Sequence, residues 1–105
     1  MVKLVLLYKR PPDEIQFEAR YNATLALLEK MPGIIRRQAN IVWGGPGGEP
    51  EIYRILEFYF EDRPALDSAL TSPAGAKAGK DLMAYAGDVV ELLFVDVFED
   101  NSPIE

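Results

Sequence analysis

The chain has 105 residues, 49% of them hydrophobic, and its 17 acidic and 11 basic residues give a formal charge of −6. That size fits one domain with one core, and the acidic balance argues against nucleic acid or anionic membrane as a partner. With no histidine and no cysteine, thiol catalysis, serine–histidine catalysis, ordinary zinc sites and histidine-ligated haem are excluded.

Residues 2–9 form a β-rich apolar run, read as a buried central strand. A single early charge, followed by Lys9-Arg10-Pro11-Pro12 rather than a small-residue cleavage site, argues against a signal peptide. The absence of cysteine fits a reducing cytoplasm, the expected location. Asp13 can cap a helix with Glu14 in its first turn. Phe17, Tyr21, Leu25, Leu28 and Met31 then recur at helical spacing until Pro32-Gly33 stops the run.

Residues 34–43 read as a strand ending at Trp43, and the glycine-rich stretch 44–48 as a loop. The next strand, residues 51–61, is aromatic on both faces. Asp62 can cap a short helix carrying Leu66, Ala69 and Leu70. Ser72-Pro73 opens another helix, with Ala74, Ala78, Leu82, Tyr85 and Ala86 as its apolar stripe. Gly87 can end it, and residues 89–98 form the last strand. The expected domain is residues 1–98, with an acidic, flexible tail over 99–105.

The order strand, helix, strand, strand, helix pair, strand predicts an α+β fold. It is the split βαβ, ferredoxin-like arrangement, a four-stranded antiparallel sheet with helices on one face. Several strands are apolar on both sides, so the uncovered face calls for a twofold partner. A homodimer is therefore expected.

The ordered set of motifs resembles the EthD-like family, named for ethyl tert-butyl ether degradation, within the dimeric α/β-barrel superfamily. It comprises the opening Met1 to Tyr8, Phe17-x-x-x-Tyr21-x-x-Thr24, Met31-Pro32-Gly33, Glu57-x-Tyr59, Ser72-Pro73-Ala74-Gly75, Asp81 and Tyr85-Ala86-Gly87. The resemblance implies a barrel formed across a dimer, a cavity between each sheet and its helices, and small apolar or aromatic ligands. It also implies neither a metal nor an organic cofactor. One departure stands out. The family's first helix reads Tyr-x-x-Thr-His-x-Pro-Leu, whereas here Leu25 takes the histidine position if Tyr21 sets the register. Thr24 takes it if the count runs back from Pro32.

Two residues are candidates for proton transfer. Tyr21 lies on the apolar helix face, where the alternative is an ordinary core tyrosine. Glu57 interrupts an aromatic strand and could act as general acid or base. The alternative is an ion pair with Arg36, Arg37 or Arg54. Candidates to line a ligand pocket are Tyr8, Tyr21, Thr24, Leu25, Leu28, Trp43, Tyr59 and Tyr85, with Tyr53 as another stacking ring. Asp81 could reach the cavity mouth, but with Lys80 it reads first as a solvated helix face. The glycine-rich loop lacks the Lys-Ser or Lys-Thr ending and the following helix of a phosphate loop.

Two functions follow. One is an enzyme that binds or transforms a small apolar or aromatic metabolite without a metal. The other is a non-catalytic binding or accessory protein that has lost the family histidine. Haem binding ranks third, because the commonest axial ligand is missing.

Overall fold

The computed structural model describes residues 1–99. Its elements run β1 (Val2–Lys9), α1 (Glu14–Leu28), β2 (Arg36–Ile41), β3 (Ile52–Phe60), α2 (Arg63–Thr71), α3 (Pro73–Ala86) and β4 (Val90–Asp96). The sheet order is β2-β3-β1-β4, with every neighbouring pair antiparallel. This is the expected ferredoxin-like topology. β1 has the expected bounds, and the ends of the other three strands are one or two residues tighter than the apolar runs suggested. Of the acidic tail expected over 99–105, only Glu99 is described, with its carboxylate 3.9 Å from Arg36 Nη1. The rest lies outside the described residues.

The helix starts follow from local side chains. The Asp13 carboxylate accepts from the Gln16 amide at 3.0 Å, and Asp62 accepts from the Ala65 amide at 2.9 Å. Each satisfies an amide that lacks a partner in the first turn. Ser72 has two roles: its hydroxyl accepts from the Gly75 amide at 3.0 Å and donates to the Ala69 carbonyl at 2.6 Å. It therefore closes α2 and opens α3 within one residue. A Cβ at Gly75 would run into the Ala69 and Leu70 carbonyls, so this corner needs glycine for space. Gly33, at φ +84°, ends the turn after α1 where few other residues fit.

Alternation along β1 sends Val2, Leu4, Leu6 and Tyr8 to the helix side, where all are buried. Their partners Phe60, Phe58, Leu56 and Arg54 line the same side. Phe17, Tyr21, Thr24 and Leu28 are the buried stripe of α1. α1 packs on α3, and α2 packs on α3, β1 and β3. The opposite face carries Lys3, Val5 and Leu7 beside Tyr59, Glu57 and Ile55. Val5 is buried there too, which explains why β1 reads as continuously apolar.

Candidate functional site

Three phenols meet on the helix side of the sheet. Tyr8 comes from the end of β1, Tyr21 from the middle of α1 and Tyr85 from the last turn of α3. The Tyr8 and Tyr21 rings stand edge to face at 5.8 Å, and the Phe17 ring lies within 5.4 to 5.9 Å of all three. The hydroxyls of Tyr8, Tyr21 and Tyr85 are all buried, and none has a hydrogen-bond partner. Buried polar side chains are almost always paired, so three unpaired ones together make this cluster the candidate site. A cleft of about 230 Å³ is lined by Phe17 and Tyr85 together with Pro11, Pro12 and Val89, while Tyr8 and Tyr21 are outside its lining.

One buried cation faces this cluster. Arg54 is 8% exposed, and its guanidinium lies 4.2 Å from the Tyr21 ring centre. Glu18 takes both ends of the fork, with Nη2 donating to Oε1 at 2.7 Å and Nη1 to Oε2 at 3.2 Å. The Tyr53 hydroxyl donates to the same Oε1 at 2.8 Å. Strand register produces this arrangement. Tyr8 pairs with Arg54 and Lys9 with Ile52, so Tyr53 is an extra residue opposite β1. Such a bulge re-aims side chains, and here consecutive residues Tyr53 and Arg54 both reach Glu18.

The charges tune the phenols. Burial pushes Tyr8 far above the ordinary tyrosine value, against a small opposing pull from Arg54. Burial raises Tyr21 as well, opposed chiefly by Arg54. It also raises Tyr85, with the neighbouring Thr24 hydroxyl holding it down in part. All three are therefore protonated near neutral pH, as donors rather than bases. Hydrogen bonding to Arg54 draws Glu18 below the usual carboxylate range.

Thr24 and Asp81 flank the cluster. The Thr24 hydroxyl is fully buried and donates to Asp81 Oδ2 at 2.6 Å. Arg20 approaches Asp81 Oδ1 at 3.5 Å, and its guanidinium lies over the Tyr85 ring at 4.7 Å. The solvated helix face expected for Asp81 is thereby corrected, because α1 and α3 pack closely enough to tie it to two α1 side chains.

The structure brings Tyr8, Tyr21, Thr24 and Tyr85 together and leaves the other candidates elsewhere. Leu28 sits in the core. Leu25 lines a separate cleft of about 300 Å³ with Glu29, Arg37, Ala39, Leu56 and Phe58. Trp43 is 95% exposed beyond the end of β2. Glu57 and Tyr59 lie on the opposite sheet face, because they alternate with Leu56, Phe58 and Phe60. The ion pair weighed for Glu57 exists, but its partner is Lys3 at 2.7 Å rather than an arginine. Asn40 donates to the other carboxylate oxygen at 3.3 Å. Tyr59 bonds Gln38 and lies beneath Arg36. Sequence reasoning missed Glu18, Arg20 and Arg54 as site residues. The available signal was the pairing of two interior strand positions, one tyrosine and one arginine, but the bulge at Tyr53 leaves no mark in the residue pattern.

No family model matches the sequence. Among solved structures, the chain is 33% identical to an ethyl tert-butyl ether d (EthD) family protein from Bacillus halodurans. The TM-score is 0.90, with 93% of this chain and 99% of that one covered. The chain belongs to the EthD family. A curated relative of this EthD-family chain is an uncharacterized 11.0 kDa protein from the thcB-thcC intergenic region of Rhodococcus erythropolis. It is 28% identical over 97 residues, covering 91% of this chain and 94% of the relative. Two more distant structures share the fold. A dimeric ferredoxin-like protein of unknown function from Jannaschia is 19% identical, with a TM-score of 0.72 over 92% of this chain and all of that one. SnoaB from Streptomyces nogalater, described as a cofactor-independent oxygenase, is 17% identical, with a TM-score of 0.69 over 97% of both chains.

Proposed function

We propose that this EthD-family chain binds a small, mostly apolar or aromatic metabolite against Tyr8, Tyr21 and Tyr85, entered through the cleft beside Phe17. The three buried, unpaired hydroxyls carry this reading. Each costs about 1–3 kcal/mol while unpaired, and a polar atom on a ligand would relieve that cost. The surrounding rings supply apolar walls, as in most small-molecule sites.

Any chemistry at this site is hydrogen bonding to negative charge that develops on a ligand oxygen. Tyr21 is the first donor, because Arg54 stands over its ring and favours charge there. SnoaB, of the same fold, is described as cofactor-independent, and that accords with a site built from tyrosine and arginine. Pairing of Arg54 with Glu18 favours a second reading, that of a binding or accessory protein. The one buried cation is already neutralised, and no imidazole replaces the lost family histidine. Glu57 enters neither reading, since it faces away from the tyrosines.

The opposite sheet face packs, in this proposal, on the same face of a second copy. Val5, Leu7, Ile55, Leu93 and Val95 give that face apolar area around the Lys3–Glu57 pair. The Jannaschia structure is described as dimeric. A cytoplasmic location accords with the cysteine-free composition.

The test is native mass spectrometry for a co-purified ligand, followed by a thermal-shift screen of small aromatic alcohols, ethers and ketones. Tyr21→Phe and Tyr85→Phe are expected to abolish the shift given by the parent, while Glu57→Gln keeps it. Equal shifts in all four proteins would reject the tyrosine site.

A further inference from the structure

Charge around the cleft beside Phe17 is one-sided. Its lining includes Asp13 and Asp88 and no lysine or arginine. Neither carboxylate forms an ion pair among the described residues. The arginines that touch or adjoin the lining are engaged elsewhere. Arg10 precedes Pro11 in the chain and holds Glu14 and Glu49, each at 3.0 Å. Arg20 lies over the Tyr85 ring and holds Asp81. Arg54, 5.9 Å from the Phe17 ring centre, is forked to Glu18. The backbone adds to the same sign. Tyr85 lies in the last turn of α3, which has no basic residue to offset the negative end of the helix dipole. The positive end of α1 also lies here, but Asp13 caps it and Glu14 stands in its first turn.

We infer that this cleft takes a small aromatic amine in its ammonium form, with the ring against Phe17 and Tyr85 and the cation beside Asp13 and Asp88. Burial runs in the same direction. Phe17 is buried, whereas Asp13 and Asp88 are exposed and leave an ammonium partly hydrated. An ammonium has only donors to offer, and the two carboxylates only accept. A ligand carboxylate meets the opposite arrangement, two like charges and no cation in the lining. A polar atom on the ring serves the Tyr85 hydroxyl, which is buried without a partner. A cleft of about 230 Å³ limits the ligand to a single ring with a short side chain. This inference rests on the ligand reading proposed above and adds to it the charge of the ligand.

Titration calorimetry of the full chain with tyramine, tyrosol and para-hydroxyphenylacetate tests the charge. The three share a ring hydroxyl and end in a cation, a neutral hydroxyl and an anion. Affinity is expected to fall in that order, by at least about tenfold from first to last at low salt, and by less at high salt. Asp13→Asn keeps the helix cap, because asparagine caps as well as aspartate. It and Asp88→Asn should each weaken tyramine by about twofold to fivefold, strengthen the acid and leave tyrosol unchanged. Asp67→Asn makes the same charge change on α2 and should keep the parent's order and ratios. In nitrogen-labelled protein, tyramine should shift the amide resonances of Gln16 and Val89, which place it in the cleft. Equal affinities for the three ligands overturn the inference, as does a preference that survives both cleft variants or falls as far in Asp67→Asn. Tyrosol binding in any of those cases leaves the ligand reading standing. Binding of none of the three removes that reading together with the inference.

Discussion

Arg54 lies against the face of Tyr21 at 4.2 Å and is held there by two bonds to Glu18. The two members of this ion pair are unequally buried, since the Arg54 side chain is 10% exposed and that of Glu18 41%. Losing either partner therefore has unequal consequences. Glu18→Ala strands a buried cation and should cost about 1–3 kcal/mol. Arg54→Met removes the cation, keeps much of the apolar stem, and returns Glu18 to water, so it should cost less. Urea unfolding of both variants checks the order, and equal or reversed costs would contradict it.

The same pair makes stability depend on acidity. Hydrogen bonding to Arg54 depresses Glu18 below its ordinary value of 4.5. A carboxyl depressed on folding stabilises the native state above its unfolded pKa and loses that contribution as pH falls through its folded pKa. The stability gap between the parent and Glu18→Gln should thus be full near pH 7 and shrink below pH 4.5. Thermal melts of both proteins across that range measure it. A gap that stays constant would mean the charge on Glu18 does not matter.

Local signals made most of the fold legible in the sequence. Asp13, Asp62 and Ser72-Pro73 announce their helices because capping chemistry lies within a few residues of each start. Tyr21, Tyr8 and Tyr85 were legible as pocket candidates because tyrosine on an apolar face is a visible anomaly. Thr24 entered only through the family motif. Glu18 and Arg20 look like ordinary exposed helix charges, because their partners come from distant elements. Glu57 looked special for being charged within an aromatic strand. Alternation nevertheless places it opposite the tyrosines, and Lys3, its partner, lies 54 positions away. Trp43 was singled out by ring size alone, and nothing packs on it closely enough to bury it.

The corner between α2 and α3 offers a test of packing without chemistry. Gly75 approaches the Ala69 and Leu70 carbonyls so closely that a methyl group cannot be added without moving backbone. Elsewhere in a helix, Gly→Ala stabilises. Gly75→Ala should instead destabilise by about 2 kcal/mol or more. Gly79→Ala, on the same helix with nothing within 4 Å of its Cβ position, is the control and should be neutral or stabilising. Denaturant midpoints with unchanged slopes decide the comparison, and a neutral Gly75→Ala would show that the corner can open cheaply.

The proposed dimer rests on the sheet face that bears Leu7, which pairs with Ile55 on one side and Glu91 on the other. A cation placed at Leu7 would have to lose its water in a packed interface, a cost of several kcal/mol for an unpaired charge. Leu7→Arg is therefore expected to turn a dimeric parent into a monomer in light scattering. Ile15→Arg, on an α1 position that is 86% exposed, should leave the dimer intact. A monomeric parent would remove the dimer from the proposal.

Tyr8 is the most deeply buried of the three phenols, at 0% exposure. Its ring packs edge-on to Phe17 and Tyr21, so the ring itself holds the core together. Its hydroxyl has no partner, so in the empty protein the oxygen contributes only a desolvation cost. Tyr8→Phe should keep the packing, remove that cost and raise stability by about 1 kcal/mol, whereas Tyr8→Ala should lose about 3–5 kcal/mol through the cavity it leaves. If the hydroxyl serves a ligand, Tyr8→Phe should also weaken binding while it stabilises the free chain. Opposite signs in unfolding and binding measurements separate a functional hydroxyl from a structural one. A Tyr8→Phe variant that loses stability would mean that the hydroxyl is paired in solution.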